Sequence, residues 1–422
     1  MYLDWIRLQN FRTFRNVAVD LIHSGTDFKA SRLPRPKLPN MNLLLGNNGL
    51  GKSAFLKGIA LAALGPAVAD AGIFPYRLVR MESAKNSRSE RTRRPLFPNE
   101  SDALITARFR PHEQDHVPPH IKEIESMVGI QERGDLERLA WLHKDEKLWH
   151  PVFQSESDAF FVVGYSAARQ VERSDRESPS LRRETSFIRA QRVQGLFQES
   201  FSLIPLTAWL PRIQDSNPGR YTQVQHLINK LLRHAHYTFS GEMDGREYAF
   251  ERGGLRIPFP ALSDGYRAYL GWLGDLLYHV VMTCPPGKKL IDNQGIVMVD
   301  EIDLHLHPKW QVSVLPILAK ELPNLQFIVT SHSPLIAGSL EWMNIIVMEP
   351  AGATASIPKR LQAPVHGLDA DQVLLTDFFK LESTRASDKE RRLKRLTVQA
   401  RKGDLEAAKT LLDEMSSGAE KA

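Results

Sequence analysis

Residues 3–11, LDWIRLQNF, alternate apolar and polar side chains, and 41–46, MNLLLG, form a short apolar run stopped by glycine. Both patterns predict strands. Residues 51–67, GKSAFLKGIALAALGPA, switch to helical periodicity and stop at Gly65 and Pro66. The order is therefore strand, glycine loop, helix. Residues 103–110 and 159–167 predict further strands, and the polar stretch between them, around 120–142, predicts a helical segment. Residues 195–235 are mostly helical in pattern, and 237–260 read as a meander turning at Asp244-Gly245 and Gly253-Gly254. From 262 onward helix and strand alternate: helix 264–282, strand 295–300, helix 308–321, strand 325–331, helix 334–340, strand 344–350. That rhythm implies a largely parallel sheet covered by helices. Beyond about 370 the pattern is charged and helical, with Asp404 placed to cap 403–415. No internal repeat and no sustained heptad seam is present, so a long coiled-coil arm is not expected.

Composition narrows the class. A hydrophobic fraction of 42% over 422 residues supplies a real core. The single cysteine, Cys284, excludes an internal disulfide framework and suits a reducing cytoplasm. No apolar run approaches the roughly 20 residues a bilayer span needs, and MYLDWIRLQNFRTF lacks the apolar centre of a signal peptide. A soluble, cytoplasmic protein with no membrane partner is expected. The net charge of +6 makes nucleic acid an admissible partner. Much of the excess lies in 77–95 and 168–192, each readable as a solvated loop or as a surface for DNA or RNA phosphates. HEQDH (112–116) has no supporting strand context and reads as a surface loop.

The chemistry begins at GNNGLGKS, Gly46 to Ser53, which satisfies G-x-x-x-x-G-K-[ST] at every required position and in the required strand–loop–helix context. Its glycines permit a tight turn in which the backbone of Asn47, Asn48, Gly49, Leu50 and Gly51, running into Lys52, Ser53 and Ala54, cradles phosphate oxygens at a helix N-terminus. Lys52 reaches the β- and γ-phosphates of ATP, and Ser53 offers a hydroxyl to Mg2+.

Such a loop requires a second strand ending in an acid. GIVMVDE places Asp300 at that carboxyl end as a Mg2+ ligand, and Glu301 next to it as the base for the attacking water. His305 and His307 stand two apart, which suits neither a helical metal pair nor a zinc-finger spacing. QFIVTSHSP brings His332 to the end of another strand, level with Asp300 if the two strands are neighbours. At LSDGYRAYL, Ser263 and Gly265 open a helix and form an anion-binding N-terminus, or an ordinary cap.

Taken in this order, the motifs resemble those of ABC-type ATPases of the SMC and RecF-like branch. IRLQNFRTF is similar to that branch's first strand, LSDGYRAYL to its signature motif, VMVDEIDLHLHP to Walker B with the D-loop, and IVTSHSP to the switch-histidine strand. DEIDLHLHPKWQ and the tail phrase HGLDADQVLLTDFFKLESTR are most similar to stand-alone prokaryotic AAA_21-type ATPases of the overcoming-lysogenization and Septu-type anti-phage group. The resemblance covers 1–60 and 255–345 strongly.

It implies an α/β, ABC-type P-loop NTPase fold with a mostly parallel central sheet, an N-terminal antiparallel β portion and a helical insertion. The implied domain spans 1–365, its core in 1–75 and 255–350 around an insertion at about 76–254, followed by a helical tail at 366–422. It further implies a homodimer sandwiching two ATP molecules, with Ser263 and Gly265 acting across the interface and the IDLHLHP loop at the dimer contact. Arg12 matches a family arginine near the nucleotide, and Gln170, with Arg169 beside it, is the candidate for the Q-loop glutamine. The chain shows no Toprim, HNH or PD-(D/E)xK constellation, so any nuclease or other toxin is expected as a separate effector protein. The leading expectation is an ATP-hydrolysing switch controlling such an effector in antiviral defence. The alternatives are a RecF-like repair factor binding DNA and the nucleotide-binding subunit of a transporter.

Overall fold

The structure, a computed structural model, describes residues 1–81, 102–133, 136–143, 146–153, 159–171, 188–198, 201–233, 236–384 and 387–416. The arginine-rich stretches read as candidate nucleic-acid surfaces lie mostly outside these residues, at 82–95 and 172–187. The chain divides into two compact units, Met1–Gly367 and Leu368–Ala422.

The first unit opens with β1 (Tyr2–Phe11), β2 (Phe14–Asp20), β3 (Met41–Leu45) and α1 (Lys52–Ala63). It continues through β4 (Ala103–Arg110), β5 (Ile124–Arg133), β6 (Leu136–Trp141), β7 (Val162–Tyr165) and β8 (Gln170–Val171). Then come α2 (Ile188–Gln194), β9 (Ser202–Leu203), α3 (Leu206–Ser216), α4 (Pro218–Leu231), β10 (Thr238–Asp244), β11 (Glu247–Arg252) and β12 (Leu255–Pro258). The remainder is α5 (Asp264–Thr283), β13 (Gly295–Val299), α6 (Pro308–Glu321), β14 (Leu325–Ser331), α7 (Pro334–Gly338), β15 (Ile345–Pro350) and β16 (Ser356–Lys359).

Two sheets carry the fold. One is antiparallel, in the order β2-β1-β4-β5-β6; the other runs β16-β15-β3-β14-β13-β7 and is parallel except for β16. Strands β3, β13 and β14 are buried at every position, as strands of a sheet covered on both faces must be. Helix α1 explains how the sheets are joined. All of it except Ser53 and Lys57 is buried, and it touches β4 and β5 of one sheet and β7 and β14 of the other. A helix apolar all round has to be enclosed. Phe55, Leu56, Ile59 and Leu61 are fully buried, each contributing about 1.5–3 kcal/mol of transfer free energy.

Two sequence expectations fail here. The segment around 120–142 is not helical but forms β5 and β6. Its side chains alternate, with Ile124, Ser126, Val128 and Ile130 buried in sequence, and that period of two outweighs the polar composition. HEQDH is not a surface loop either. Asp115 is fully buried and accepts from the Phe160 N–H at 2.7 Å, the His112 N–H at 2.9 Å and the Met1 amino group at 2.8 Å. The expected meander at 237–260 is the antiparallel sheet β10-β11-β12.

The second unit contains α8 (Ala370–Leu375), α9 (Ser387–Arg401) and α10 (Leu405–Ser416). Asp404 caps α10, its Oδ1 accepting from the N–H groups of Glu406 and Ala407, both at 3.1 Å. Leu393 and Ala407 are buried in this unit, and Arg392 pairs with Glu414 at 2.7 Å.

Candidate nucleotide site

The loop after β3 is shaped by what surrounds its glycines. Gly46 has φ 148°, and a β-carbon there would lie 2.8 Å from the Met348 carbonyl oxygen on β15. Gly51 has φ 89°, and its β-carbon would lie 2.3 Å from Thr13 Oγ1 and 2.9 Å from Phe14 Cζ. Gly49, at φ 80°, faces open space. Asn47, Asn48, Gly49 and Ser53 are exposed, Leu50 packs against the core and Ala54 is buried. Arg12 is exposed in the β1–β2 turn, at φ 51°; its N–H donates to the Leu78 carbonyl at 2.8 Å and its own carbonyl accepts from Arg80. The turn that carries Arg12 therefore abuts the phosphate loop through Thr13.

Lys52 is only 6% exposed. Its ammonium donates to the Gly46 carbonyl at 2.6 Å and the Asn47 carbonyl at 3.1 Å, and lies 3.5 Å from His332 Nδ1. Burial holds its pKa below the usual lysine value, against the pull of Asp300, Glu301 and Asp303 in the other direction.

Strand β14 lies between β3 and β13, in register Ser331 with Leu45 and Val299 with Val329. The sheet thus delivers the phosphate loop, His332 and the two acids to one edge, as the carboxyl ends of parallel strands do. The Asp300 N–H donates to the Tyr165 carbonyl at 2.8 Å, and its Oδ1 accepts from the Thr330 hydroxyl at 2.6 Å. Glu301 sits at φ 46°, its N–H donating to Thr330 Oγ1 at 2.7 Å. Its Oε1 is 3.8 Å from His332 Nε2, an atom with no hydrogen-bond partner among the described residues. Lys52, His332 and Glu301 therefore form one continuous line.

Arg169 enters from the loop after β7. Its Nη2 donates to the Glu301 carbonyl at 2.8 Å, and its buried Nη1 has no partner among the described residues. Burial lowers its pKa to about 10 even though three carboxylates, Asp300, Asp303 and Glu301, favour the charged form. Asp303 Oδ1 is likewise buried without a partner. Gln170 pairs through its backbone with Ser202, and its side chain lies outside the described residues.

The start of α5 is fixed to the acid loop. Ser263 is exposed at the N-cap position and its hydroxyl makes no capping bond. A β-carbon on Gly265 would fall 2.4 Å from the His305 carbonyl oxygen, so only glycine lets the helix approach. Tyr266 and Tyr269 pack edge-on against Trp310, at 4.4 and 5.1 Å. His307 caps α6, its Nδ1 accepting from the Lys309 N–H at 3.3 Å. Further along α5, the buried Asp275 accepts from the Tyr165 hydroxyl at 2.9 Å and from the Ile204 N–H at 2.8 Å. Thr330, Tyr165 and Asp275 were not singled out by sequence. A threonine two places before His332, directly after the apolar run Phe327–Val329, is the signal that was available.

The residues present suit a nucleotide with a divalent cation. The unspent nitrogen of His332 and the open space over Gly49 fit phosphate oxygens. The exposed Ser53 hydroxyl and the Asp300 carboxylate are hard oxygen donors of the kind Mg2+ takes.

The family model AAA_21, described as "AAA domain, putative AbiEii toxin, Type IV TA system", matches residues 41–338. The chain belongs to the AAA_21 family. This AAA_21 chain is 22% identical over 384 residues to the Septu protein PtuA of Bacillus mycoides (strain KBAB4), covering 91% of this chain and 45% of that protein. It is 33% identical over 115 residues to the "Retron Ec83 probable ATPase" of Escherichia coli, covering 27% of this chain and 21% of that one. It spans less than half the length of either relative. Among solved structures, the SMC head domain from Thermotoga maritima aligns with a TM-score of 0.47 at 14% identity, over 86% of this chain and 100% of that one. The AAA_21 chain is thus a P-loop ATPase by family, with relatives named for Septu and retron systems.

Proposed function

We propose that this chain is an ATP-hydrolysing switch that closes as a homodimer on two ATP molecules and controls a separate, nucleic-acid-directed effector in antiviral defence. The observation that carries the chemistry is the line from Lys52 through His332 to Glu301, with separations of 3.5 and 3.8 Å at the end of β14. The loop backbone and Lys52 hold the phosphates. The Ser53 hydroxyl and Asp300 would hold Mg2+, which when bound supplies charge neutralisation to the phosphate oxygens. Glu301 takes the proton of a water whose oxygen bonds to the γ-phosphorus, while the bond to the bridging oxygen breaks and ADP leaves with that electron pair. His332 Nε2 is free to meet the γ-phosphate.

The two-copy reading is supported by surfaces left unspent. The loop tip at Asn47–Gly49 is exposed, and so is Ser263 with its uncommitted hydroxyl. The effector and the defence role are supported by the relatives' names alone, and the chain covers only part of those proteins.

The test is Glu301→Gln. Phosphate release should fall by about 100- to 10,000-fold, the range for loss of a general base, while ATP binding persists and light scattering detects a nucleotide-bound dimer. Hydrolysis equal to that of the wild type would remove Glu301 from the chemistry.

A further inference from the structure

The Glu301 peptide is held in a conformation it would not choose. A φ of 46° is left-handed, a region that a residue with a β-carbon occupies only where its surroundings over-determine it. Here both ends of the residue are bonded. Its N–H donates to Thr330 Oγ1 at 2.7 Å, and its carbonyl accepts from Arg169 Nη2 at 2.8 Å. Thr330 is fully buried, and its hydroxyl proton goes to Asp300 Oδ1 at 2.6 Å, so one hydroxyl fixes both acids.

The chemistry of Arg169 is unusual for its setting. Three carboxylates pull on its charge, yet its hydrogen bond goes to a main-chain carbonyl and its second terminal nitrogen meets no partner among the described residues. A buried guanidinium with an unpaired N–H is unfavourable for stability alone. The arrangement makes sense as orientation.

We propose that Thr330 and Arg169 are positioning residues for hydrolysis, clamping Glu301 at both ends so that its carboxylate points along the line to His332. This rests on Glu301 being the base. Neither residue touches the reacting atoms; both act through the direction of the Glu301 side chain.

The experiment compares Thr330→Val with Thr330→Ser, and Arg169→Ala with wild type, for ATP turnover and for binding of a non-hydrolysable ATP analogue, with crystal structures of Thr330→Val and Arg169→Ala. Thr330→Val keeps the branched shape and puts a methyl in place of the hydroxyl. A misdirected base costs about 100-fold in kcat, so Thr330→Val and Arg169→Ala should each show that loss, with analogue affinity measured without Mg2+ within about twofold of wild type. Thr330→Ser, which restores the hydroxyl, should recover to within about tenfold. In the crystals Glu301 should leave its left-handed conformation. A rise in KM with kcat unchanged, a serine variant as impaired as valine, or an unmoved Glu301 in both crystals would overturn the clamp. Should wild type and Glu301→Gln both prove inactive, it is the base assignment that has failed. The crystals still decide the clamp, because they do not depend on turnover.

Discussion

Replacing Gly51 by alanine separates two costs that the phosphate loop imposes on its glycines. Both Gly49 and Gly51 are left-handed, at φ 80° and 89°, and placing an L-residue there costs about 1–2 kcal/mol. Gly49 faces nothing within 4 Å, so for Gly49→Ala that is the whole effect. At Gly51 the new carbon meets Thr13 Oγ1 at 2.3 Å and Phe14 Cζ at 2.9 Å. Phe14 is fully buried and edge-on to Phe55 at 6.0 Å, so it cannot swing aside, and overpacking adds about 1–3 kcal/mol. Gly51→Ala should therefore lose about 2–5 kcal/mol in all, against about 1–2 kcal/mol for Gly49→Ala. Urea unfolding followed by tryptophan fluorescence, analysed with a shared m value, measures the difference. Equal losses for the two variants, or a milder one at Gly51, would refute the claim that the β1–β2 turn buttresses the loop.

Lys52→Ala removes the charge that the loop carbonyls hold in place, and a charge-assisted bond to phosphate is worth about 1.5–3 kcal/mol. Nucleotide affinity by calorimetry should weaken by about 10- to 100-fold, and unchanged affinity would contradict the role given to Lys52. Burial by itself would raise the Asp275 carboxyl, but His279, the Ile204 N–H and the Tyr165 hydroxyl outweigh it and hold the group below its usual value of 3.8. A carboxyl depressed on folding stabilises above that value and loses its contribution as pH falls through the lower folded value. Acidification below about pH 4 should therefore narrow the stability gap between wild type and Asp275→Asn. A gap that stays constant from pH 7 to pH 3.5 would count against the network.

The motifs were legible because each is a local pattern tied to a local backbone shape. GNNGLGKS, VMVDE and IVTSHSP each carry their chemistry within a few residues, and their strands occur where the apolar runs end. What was hidden depends on register. Thr330 reaches Asp300 only because β14 is paired with β13, and Arg169 reaches Glu301 only because β7 lies on the other side of β13. The sequence offered Gln170, with Arg169 beside it, by resemblance to the family, and the Arg169 side chain meets the acid loop only through this strand order. The misread helix at 120–142 has a different cause. Polar residues on the outer face of β5 and β6 masked an alternation visible only when the strands were counted residue by residue.

The central place of β14 also sets a timetable for the ribosome. Strand β3 emerges early and Asn42 can already bond Ile22, but its neighbour β14, whose Phe327 carbonyl also accepts from Asn42, comes 285 positions later. At about 5–20 residues per second, that separation corresponds to roughly 15 to 60 seconds of synthesis. Through that interval MNLLL is a nascent apolar segment with neither neighbour made, and the glycine loop beyond it has no partner edge. Assembly of the candidate nucleotide edge is then a late event in biogenesis, waiting until translation has passed His332.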